Sequence, residues 1–286
     1  MKKIKYFFEF TIIIFLFSIY KFLGLKISSF ISGKLFEFFG PLFRSKEVIK
    51  SNIQRAIPKI DLKKMNNIKK DMWNNYGRTL SEYMFLKNFR NNNLNSNINI
   101  EGKEILEQIK HEKTPVIFVS GHFSNFELMA MQIEKSGVNL AAIYRPLNNI
   151  FLNILMERMR KKYICKKQIK KGTSGVRELL RLYKKGYSIA LMIDQRVSQG
   201  IKCKFFDEDA FTTTIPAQFI KKFNCKVVPI YIERFNDINF NIKIEKPVEF
   251  LRDTPTEEIT RNLNIWLEKK ILLNPGNWIW SHNRWK

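Results

Sequence analysis

From residue 99 onward, short runs rich in β-branched and aromatic residues alternate with amphipathic stretches of helical periodicity. The β-rich runs occupy 116–119, 140–144, 189–193 and 226–232, and helical patterns begin near 125, 150, 176 and 216. Such alternation is typical of an α/β protein, in which helices cover the faces of a central sheet. We therefore predict an α/β fold with a central mixed sheet flanked by helices, an edge or late strand at 239–244 and a closing helix at 257–272.

The amino-terminal segment is apolar enough to meet a membrane. Extended from Ile4 to Leu25, it reaches the length of about 20 residues that a bilayer-spanning helix requires. It also contains Lys5, Glu9 and Lys21, so a tilted or interfacial helix fits the pattern as well as a clean span. A cleaved signal peptide is disfavoured because no A-x-A-like site follows. We predict an N-terminal hydrophobic membrane helix.

Three parts of the chain differ in composition, and we predict a boundary at each change. Residues 1–45 hold the apolar segment and a second helical pattern at 27–42, which fits either a helix packed on the protein core or an amphipathic helix in the membrane surface. Residues 46–98 are basic and predict a helical lead-in that ends in an asparagine-rich run. Residues 99–286 are the predicted α/β domain.

The chain is strongly basic, with 50 Lys and Arg against 26 Asp and Glu and a formal net charge of +24. Such a charge implies a polyanionic partner, either nucleic acid or anionic phospholipid. The 25 Phe residues and the apolar amino terminus favour an anionic membrane surface, and no nucleic-acid-binding signature is present, so we expect no nucleic-acid partner. A non-enzymatic basic membrane- or nucleic-acid-binding protein is the alternative from a different class.

The most informative stretch is 114–127, TPVIFVSGHFSNFE. An apolar strand ends in Ser120 and Gly121, and His122 follows at the strand end, where α/β folds carry their chemistry. A neutral imidazole beside a carboxylate such as Glu127 accepts a proton from a hydroxyl near neutral pH. Two structural alternatives are a hydrogen-bonded histidine without chemistry and a helix-capping box formed by Ser124 and Glu127.

The segment 122–127 resembles the H-x4-D/E motif of lysophospholipid-type acyltransferases, and its surroundings resemble the lipid A biosynthesis (lauroyl/myristoyl) acyltransferase family. The family blocks follow in order over nearly the full length: YRP at 144–146 with asparagines at 148–149, the glycine-containing block 171–180, IDQ at 193–195, FF at 205–206 with Ala210 and threonines at 212–213, VVP at 227–229, and the tryptophan-rich ending 278–284. Two positions depart from the family pattern, Asp207 where Gly is usual and Ile150 where Pro is common.

The resemblance implies transfer of a fatty acyl group from acyl carrier protein to a hydroxyl of a lipid A precursor of the Kdo-lipid IVA type, at the cytoplasmic face of the bacterial inner membrane. We predict His122 as general base, assisted by Glu127, without an acyl-enzyme because no G-x-S-x-G motif is present. No organic cofactor or metal is expected beyond the acyl donor. A glycerophospholipid or another glycolipid is the alternative acceptor, with acyl-CoA as an alternative donor.

Five further side chains are predicted to bind substrate: Arg145, Arg158, Arg160, Asp194 and Gln195. An arginine fork suits the oxygens of an acceptor phosphate or of the transition state. For the two arginines after position 150 the alternative is a solvated basic face, and for the pair at 194–195 it is a polar strand end. His282 is either a second catalytic histidine or a structural one packed among tryptophans that suit a core edge or a membrane interface.

Overall fold

A computed structural model describes residues 2–286 and confirms the α/β class, with a seven-stranded sheet at its centre. The strands are β1 (Ile98–Glu101), β2 (Ile117–Ser120), β3 (Leu140–Tyr144), β4 (Lys167–Lys170), β5 (Ser188–Met192), β6 (Ile201–Phe205), β7 (Glu208–Thr212), β8 (Val227–Phe235) and β9 (Asn239–Ile244). Their order in the sheet is β1-β9-β8-β2-β5-β3-β4, while β6 and β7 form a separate hairpin. Within the seven-stranded sheet of the described residues only the β8–β9 pairing is antiparallel, so the sheet is mixed as predicted.

The described chain also contains eleven α-helices. They are α1 (Lys2–Leu23), α2 (Leu25–Phe39), α3 (Lys46–Ala56), α4 (Leu62–Glu82), α5 (Leu86–Arg90), α6 (Lys103–Glu112), α7 (Glu127–Lys135), α8 (Ile150–Met159), α9 (Thr173–Lys184), α10 (Ile215–Phe223) and α11 (Thr256–Leu273). Side chains cap several of them in the usual way, Ser45 at α3, Asp61 at α4 and Asn149 at α8. A π-helical turn, Arg160–Ile164, continues α8.

Strand β2 lies at the middle of the sheet and is buried along its whole length, with Ile117 and Val119 fully inaccessible. It pairs in parallel with β5 on one side and β8 on the other. Its carboxyl end therefore opens at the same edge as the ends of both neighbours, which is where ligands bind in sheets of this kind.

Of the two predicted alternatives for 239–244, an edge strand or a late strand, the second is confirmed. β9 pairs with β8 on one side and in parallel with β1 on the other, so β1 and β4 are the edges. Strand β1 was not predicted, because an alternating pattern of only four residues is too short to indicate a strand.

Helix α2 packs on α4 through small residues. Its buried positions include Ser29, Ser32 and Gly33. Ser32 meets Gly77 of α4, whose Cβ, if it had one, would lie 2.2 Å from the Ser32 carbonyl oxygen. Most of the bulky residues of α2, such as Phe30, face outward, whereas Phe36 is half-buried against the core. One face of α2 thus packs on the protein, which agrees with the first alternative for 27–42, and the opposite face is apolar and exposed. Its contact with a membrane surface stays a prediction.

Helix α1 is long and apolar enough to cross a membrane by length and composition, and little of it is buried inside the protein. Its buried residues are Phe17 and Tyr20, while Phe8, Phe15 and Phe22 are exposed. One continuous hydrophobic core joins these two buried residues to the lead-in and to the sheet.

The β6–β7 hairpin explains one departure from the family pattern. Its two-residue turn consists of Phe206 and Asp207, with φ of 50° and 59°. Positive φ at both central positions is the mark of a type I′ turn, which favours Gly, Asn and Asp. Asp207 therefore occupies a backbone conformation that suits the usual glycine. Aspartate adopts this conformation more readily than most other residues do.

Candidate active site

His122 lies just beyond the end of β2 and is held by a single carboxylate. Its ring Nδ1 is 2.8 Å from Oδ1 of Asp194, and its backbone N–H donates to Oδ2 of Asp194, also over 2.8 Å. The parallel register that pairs Ser120 with Met192 brings these two strand ends side by side. The other ring nitrogen, Nε2, lies 3.5 Å from Nε2 of Gln195.

Asp194 is buried and charged. Burial by itself would raise the pKa of Asp194, but its interaction with His122 and hydrogen bonds from His122 and Trp278 outweigh this and lower the pKa to about 2. The indole N–H of Trp278 donates to Oδ2 over 2.9 Å. Because an ionised carboxylate only accepts hydrogen bonds, the proton of a neutral His122 sits on Nδ1, which leaves Nε2 as an acceptor.

Glu127 belongs to a second buried cluster. Its Oε1 accepts hydrogen bonds from Nε and Nη2 of Arg160, over 2.8 and 2.5 Å, and from the hydroxyl of Tyr83. Burial raises the pKa of the Tyr83 phenol, and the charge of Glu127 raises it further. Burial opposes the charge of Arg160, yet the ion pair with Glu127 still raises the pKa of that guanidinium.

The hydrogen bonds therefore contradict one part of the sequence prediction: Asp194, and not Glu127, orients His122. The reason is geometric. Glu127 is the first residue of α7, and its side chain reaches Arg160 in the π-helical turn and Tyr83 just after α4. The ring of Phe126 packs edge-on against the imidazole, with the two ring centroids 4.7 Å apart.

The capping box that was the structural alternative for Ser124 and Glu127 is not formed. Helix α7 begins without a side-chain cap, and Ser124, with φ of 42°, accepts a hydrogen bond from the backbone N–H of Arg234 instead. The loop after His122 is held from outside by α4, because Asn125 donates to Glu82 over 2.8 Å and Thr79 donates to the Ser124 carbonyl.

Glu82 is fully buried and anchors this loop. Besides Asn125, it receives hydrogen bonds from Ser29 of α2 and from the guanidinium of Arg234 on β8. Sequence reasoning missed both Glu82 and Tyr83. Tyr83 fits the apolar periodicity of its helix, and Glu82 is one acidic residue in a basic segment, so neither carries a local signal.

A cavity of about 1010 Å³ opens beside His122. Its apolar walls include Ala130, Ile133, Ala142, Met156 and Ile164. Of the predicted site residues, those that line it are His122, Glu127, Arg145, Arg160 and Gln195.

Two predicted substrate-binding residues lie elsewhere. Asp194 sits behind His122, 2% exposed, with its oxygens bonded to the protein, so substrate does not reach it. Arg158 is exposed on α8 and does not line the cavity, in agreement with the alternative of a solvated basic face. Arg160 does line the cavity, but as the ion-pair partner of Glu127.

His282 also lines the cavity, and its contacts are structural. Its Nε2 accepts the backbone N–H of Arg196 over 3.0 Å, and burial lowers the pKa of His282 to about 4. Its carbonyl accepts from Asn52 of α3. The neighbouring Trp278 and Trp280 are 1% and 0% exposed, so they belong to the core and not to a membrane interface.

A histidine held by a buried aspartate at the carboxyl edge of a mostly parallel sheet, with its imidazole open to an apolar cavity, is an arrangement suited to general-base chemistry beside a hydrocarbon chain. The family model for bacterial lipid A biosynthesis acyltransferases matches residues 1–286. The chain belongs to this family, which confirms the resemblance seen in the sequence motifs.

Two curated relatives are similar to parts of the chain. Lipid A biosynthesis acyltransferase 2 of Shigella flexneri is 21% identical over 184 residues, and the lipid A biosynthesis myristoyltransferase of Escherichia coli (strain K12) is 23% identical over 186 residues. Each alignment covers 63% of this chain, and they cover 58% and 56% of the two relatives. The alignments thus span little more than half the length of the curated relatives.

Proposed function

We propose that the protein is an O-acyltransferase of lipopolysaccharide biosynthesis. It transfers a fatty acyl group from acyl carrier protein to a hydroxyl of a lipid A precursor of the Kdo-lipid IVA type, at the cytoplasmic face of the inner membrane. The observation that carries the proposal is the His122–Asp194 pair, which opens to an apolar cavity in a chain of the lipid A acyltransferase family.

His122 acts as the general base in this proposal. Its Nε2 accepts the proton of the acceptor hydroxyl while that oxygen attacks the thioester carbonyl carbon. The new C–O bond forms, the C–S bond breaks, and the proton passes to the departing thiolate. Asp194 holds the Nδ1 proton and stabilises the imidazolium that forms in between, as the carboxylate does in other histidine–carboxylate pairs.

Arg160, positioned by Glu127, stabilises the negative charge that develops on the thioester oxygen. Both line the cavity, and Glu127 fixes the guanidinium of Arg160 through Nε and Nη2. Among residues 2–286 Nη1 of Arg160 donates no hydrogen bond, so this group is free to donate to an oxyanion. Glu127 is then a positioning residue for Arg160 and not the partner of the base.

The surroundings suit lipid substrates. The apolar walls of the cavity accommodate a fatty acyl chain. The exposed apolar faces of α1 and α2, together with the excess of Lys and Arg, favour an anionic bilayer surface, and the same basic charge favours docking of an acidic carrier protein. The proposed reaction uses no metal and no organic cofactor.

The test is acyl transfer from labelled acyl carrier protein to a lipid A precursor by the full chain in mixed micelles. We expect transfer by the wild type and a loss of about 100-fold or more in His122→Ala. His111→Ala is the matched control, because His111 is exposed on α6 and lies outside the cavity. We expect it to match the wild type.

Three results would overturn parts of the proposal. Transfer to a glycerophospholipid but not to the precursor would replace the acceptor. Full activity of His122→Ala would remove the base. Salt-sensitive binding to anionic lipid or nucleic acid without any acyl transfer would favour a non-enzymatic basic protein.

A further inference from the structure

Two cationic side chains stand next to each other at the rim of the cavity. Tyr144 is paired with Lys170 in the parallel register of β3 and β4, so Arg145 and Lys171 leave the two strands side by side. The backbone N–H of Lys171 donates to the Tyr144 carbonyl over 2.8 Å, which ties the two strand ends together. Both residues line the cavity that contains His122.

Neither cation has an acidic partner. Within the part of the chain that the structure describes, no carboxylate oxygen lies within 4.0 Å of the charged nitrogens of Arg145 or Lys171. Neighbouring cations are paired: Lys170 with Glu157 over 3.3 Å, and Arg160 with Glu127. The acidic residues of this region are thus already used.

The two charges repel each other. The pKa of Lys171 is lowered, first because its ammonium loses part of its hydration and second because Arg145 carries a like charge. Adjacent like charges at a partly desolvated rim are unfavourable unless an anion joins them. This favours a ligand with negative charge.

We propose that Arg145 and Lys171 form a binding subsite for a phosphate ester group of one substrate, an inference that rests on the acyl transfer proposed above. The guanidinium fork binds two phosphate oxygens, and the ammonium adds a mobile point charge. The amino end of α9 follows directly, with Gly172 and Thr173 on the cavity lining, so its dipole adds to the same positive field.

Two substrates carry this chemistry. A lipid acceptor offers a sugar phosphate, and a carrier-protein or coenzyme thioester offers the phosphodiester of its pantetheine arm. Kinetics of the full chain in mixed micelles distinguish them, using the acceptor with and without its phosphates, and acyl-phosphopantetheine against acyl-pantetheine. The variants are Arg145→Ala, Lys171→Ala and the double variant. Lys167→Ala is the control, since Lys167 is exposed on β4 and lies off the cavity lining.

We expect each single variant to raise the KM of one substrate by about tenfold or more, with a smaller effect on kcat, because a charged hydrogen bond to the ligand is lost. Lys167→Ala should change KM less than about twofold, as a surface cation outside the site does. If the double variant no longer distinguishes phosphorylated from dephosphorylated acceptor, the phosphate belongs to the acceptor. If it no longer distinguishes the two pantetheine thioesters, the phosphate belongs to the donor. If it distinguishes both pairs as the wild type does, the subsite is overturned.

A binding measurement separates this subsite from the proposed function. The phosphorus NMR signals of the phosphorylated acceptor and of acyl-phosphopantetheine are followed during titration with the full chain. Binding that the double variant loses would support the subsite even if no acyl transfer occurs, in which case the proposed function fails alone. Transfer by the wild type, combined with unaltered binding by the double variant, would overturn the subsite alone.

Discussion

One carboxylate, Asp194, accepts both the ring Nδ1 hydrogen bond and the backbone N–H of His122, each over 2.8 Å. The two bonds fix the position of the residue and the direction of its ring together. Trp278 holds the same carboxylate from the core. The orientation of the candidate base therefore depends on β5 and on the carboxyl-terminal segment, and not on the helix that follows the base.

Asp194→Asn should lower kcat by about 100-fold to 10,000-fold while KM changes little, because an amide nitrogen facing Nδ1 forces the ring proton onto Nε2. The measurement is steady-state acyl transfer by a detergent-solubilised variant that unfolds at the wild-type temperature. Trp278→Phe is the comparison variant, since it removes one bond to Asp194 but leaves both bonds to His122. Activity of Asp194→Asn within threefold of the wild type would remove Asp194 from the mechanism.

Glu127→Gln should destabilise the fold by about 3–5 kcal/mol, because it leaves the guanidinium of Arg160 buried without its counter-charge. Replacing both partners in Glu127→Gln/Arg160→Met should recover most of the free energy of unfolding but not the activity. Denaturant unfolding and acyl transfer are measured on the same preparations. A Glu127→Gln variant that keeps full stability would show that Arg160 does not need Glu127 as its counter-charge.

His282 makes stability depend on acidic pH. Its pKa is lowered to about 4 in the folded protein, mainly by burial, against 6.5 in the unfolded chain. Between these values the unfolded chain binds a proton that the folded protein does not, so the free energy of unfolding falls as pH falls from 6.5 towards 4. The contribution is fully present above 6.5.

We expect the thermal unfolding midpoint to fall by several degrees between pH 7.5 and 4.5, since each kcal/mol shifts the midpoint by about 2–4 °C in domains approaching this size. His282→Gln, which keeps an acceptor for the Arg196 N–H, should flatten this dependence. His111→Gln is the matched control on an exposed histidine. If the unfolding midpoint of His282→Gln depends on pH as that of the wild type does, another group causes the loss of stability at acidic pH.

Asp207→Gly should stabilise the protein by about 0.5–1 kcal/mol, because glycine adopts the positive φ of this turn position without strain. Removing the Asp207 side chain costs little stability, because this side chain is 98% exposed and its carboxylate lies 3.7 Å from Arg261. Asp207→Val should have the opposite effect, since a branched side chain resists this backbone conformation. Acyl transfer should be unchanged in both variants, and equal stability of the two would show that the turn relaxes.

Gly77→Ala should destabilise the fold by about 1–3 kcal/mol, because the added methyl group meets the Ser32 carbonyl where α2 crosses α4. Asn67→Ala, at an exposed position of the same helix, should be neutral or slightly stabilising. Thermal unfolding in detergent measures both. A stable Gly77→Ala variant would mean that the two helices separate without cost.

Local patterns in the sequence predicted much of the fold. The strand 140–144 has the predicted bounds, and the helix near 216–223 and the closing helix agree to within one residue at each end. Alternation and helical spacing are short-range properties, so they can be read without knowing the fold. The hairpin 201–212 and the edge strand 167–170 were not predicted, because each of their strands has only four or five residues, too few for an alternating pattern to stand out.

The sequence by itself determined that His122 follows a buried strand and that carboxylates stand at 127 and 194. Only the tertiary structure decided which of them meets the histidine. Glu127 is close in sequence, but α7 directs it towards Arg160, whereas Asp194 is brought beside His122 by the parallel pairing of β2 with β5. Strand order depends on long-range packing of the whole core, and no local pattern encodes it.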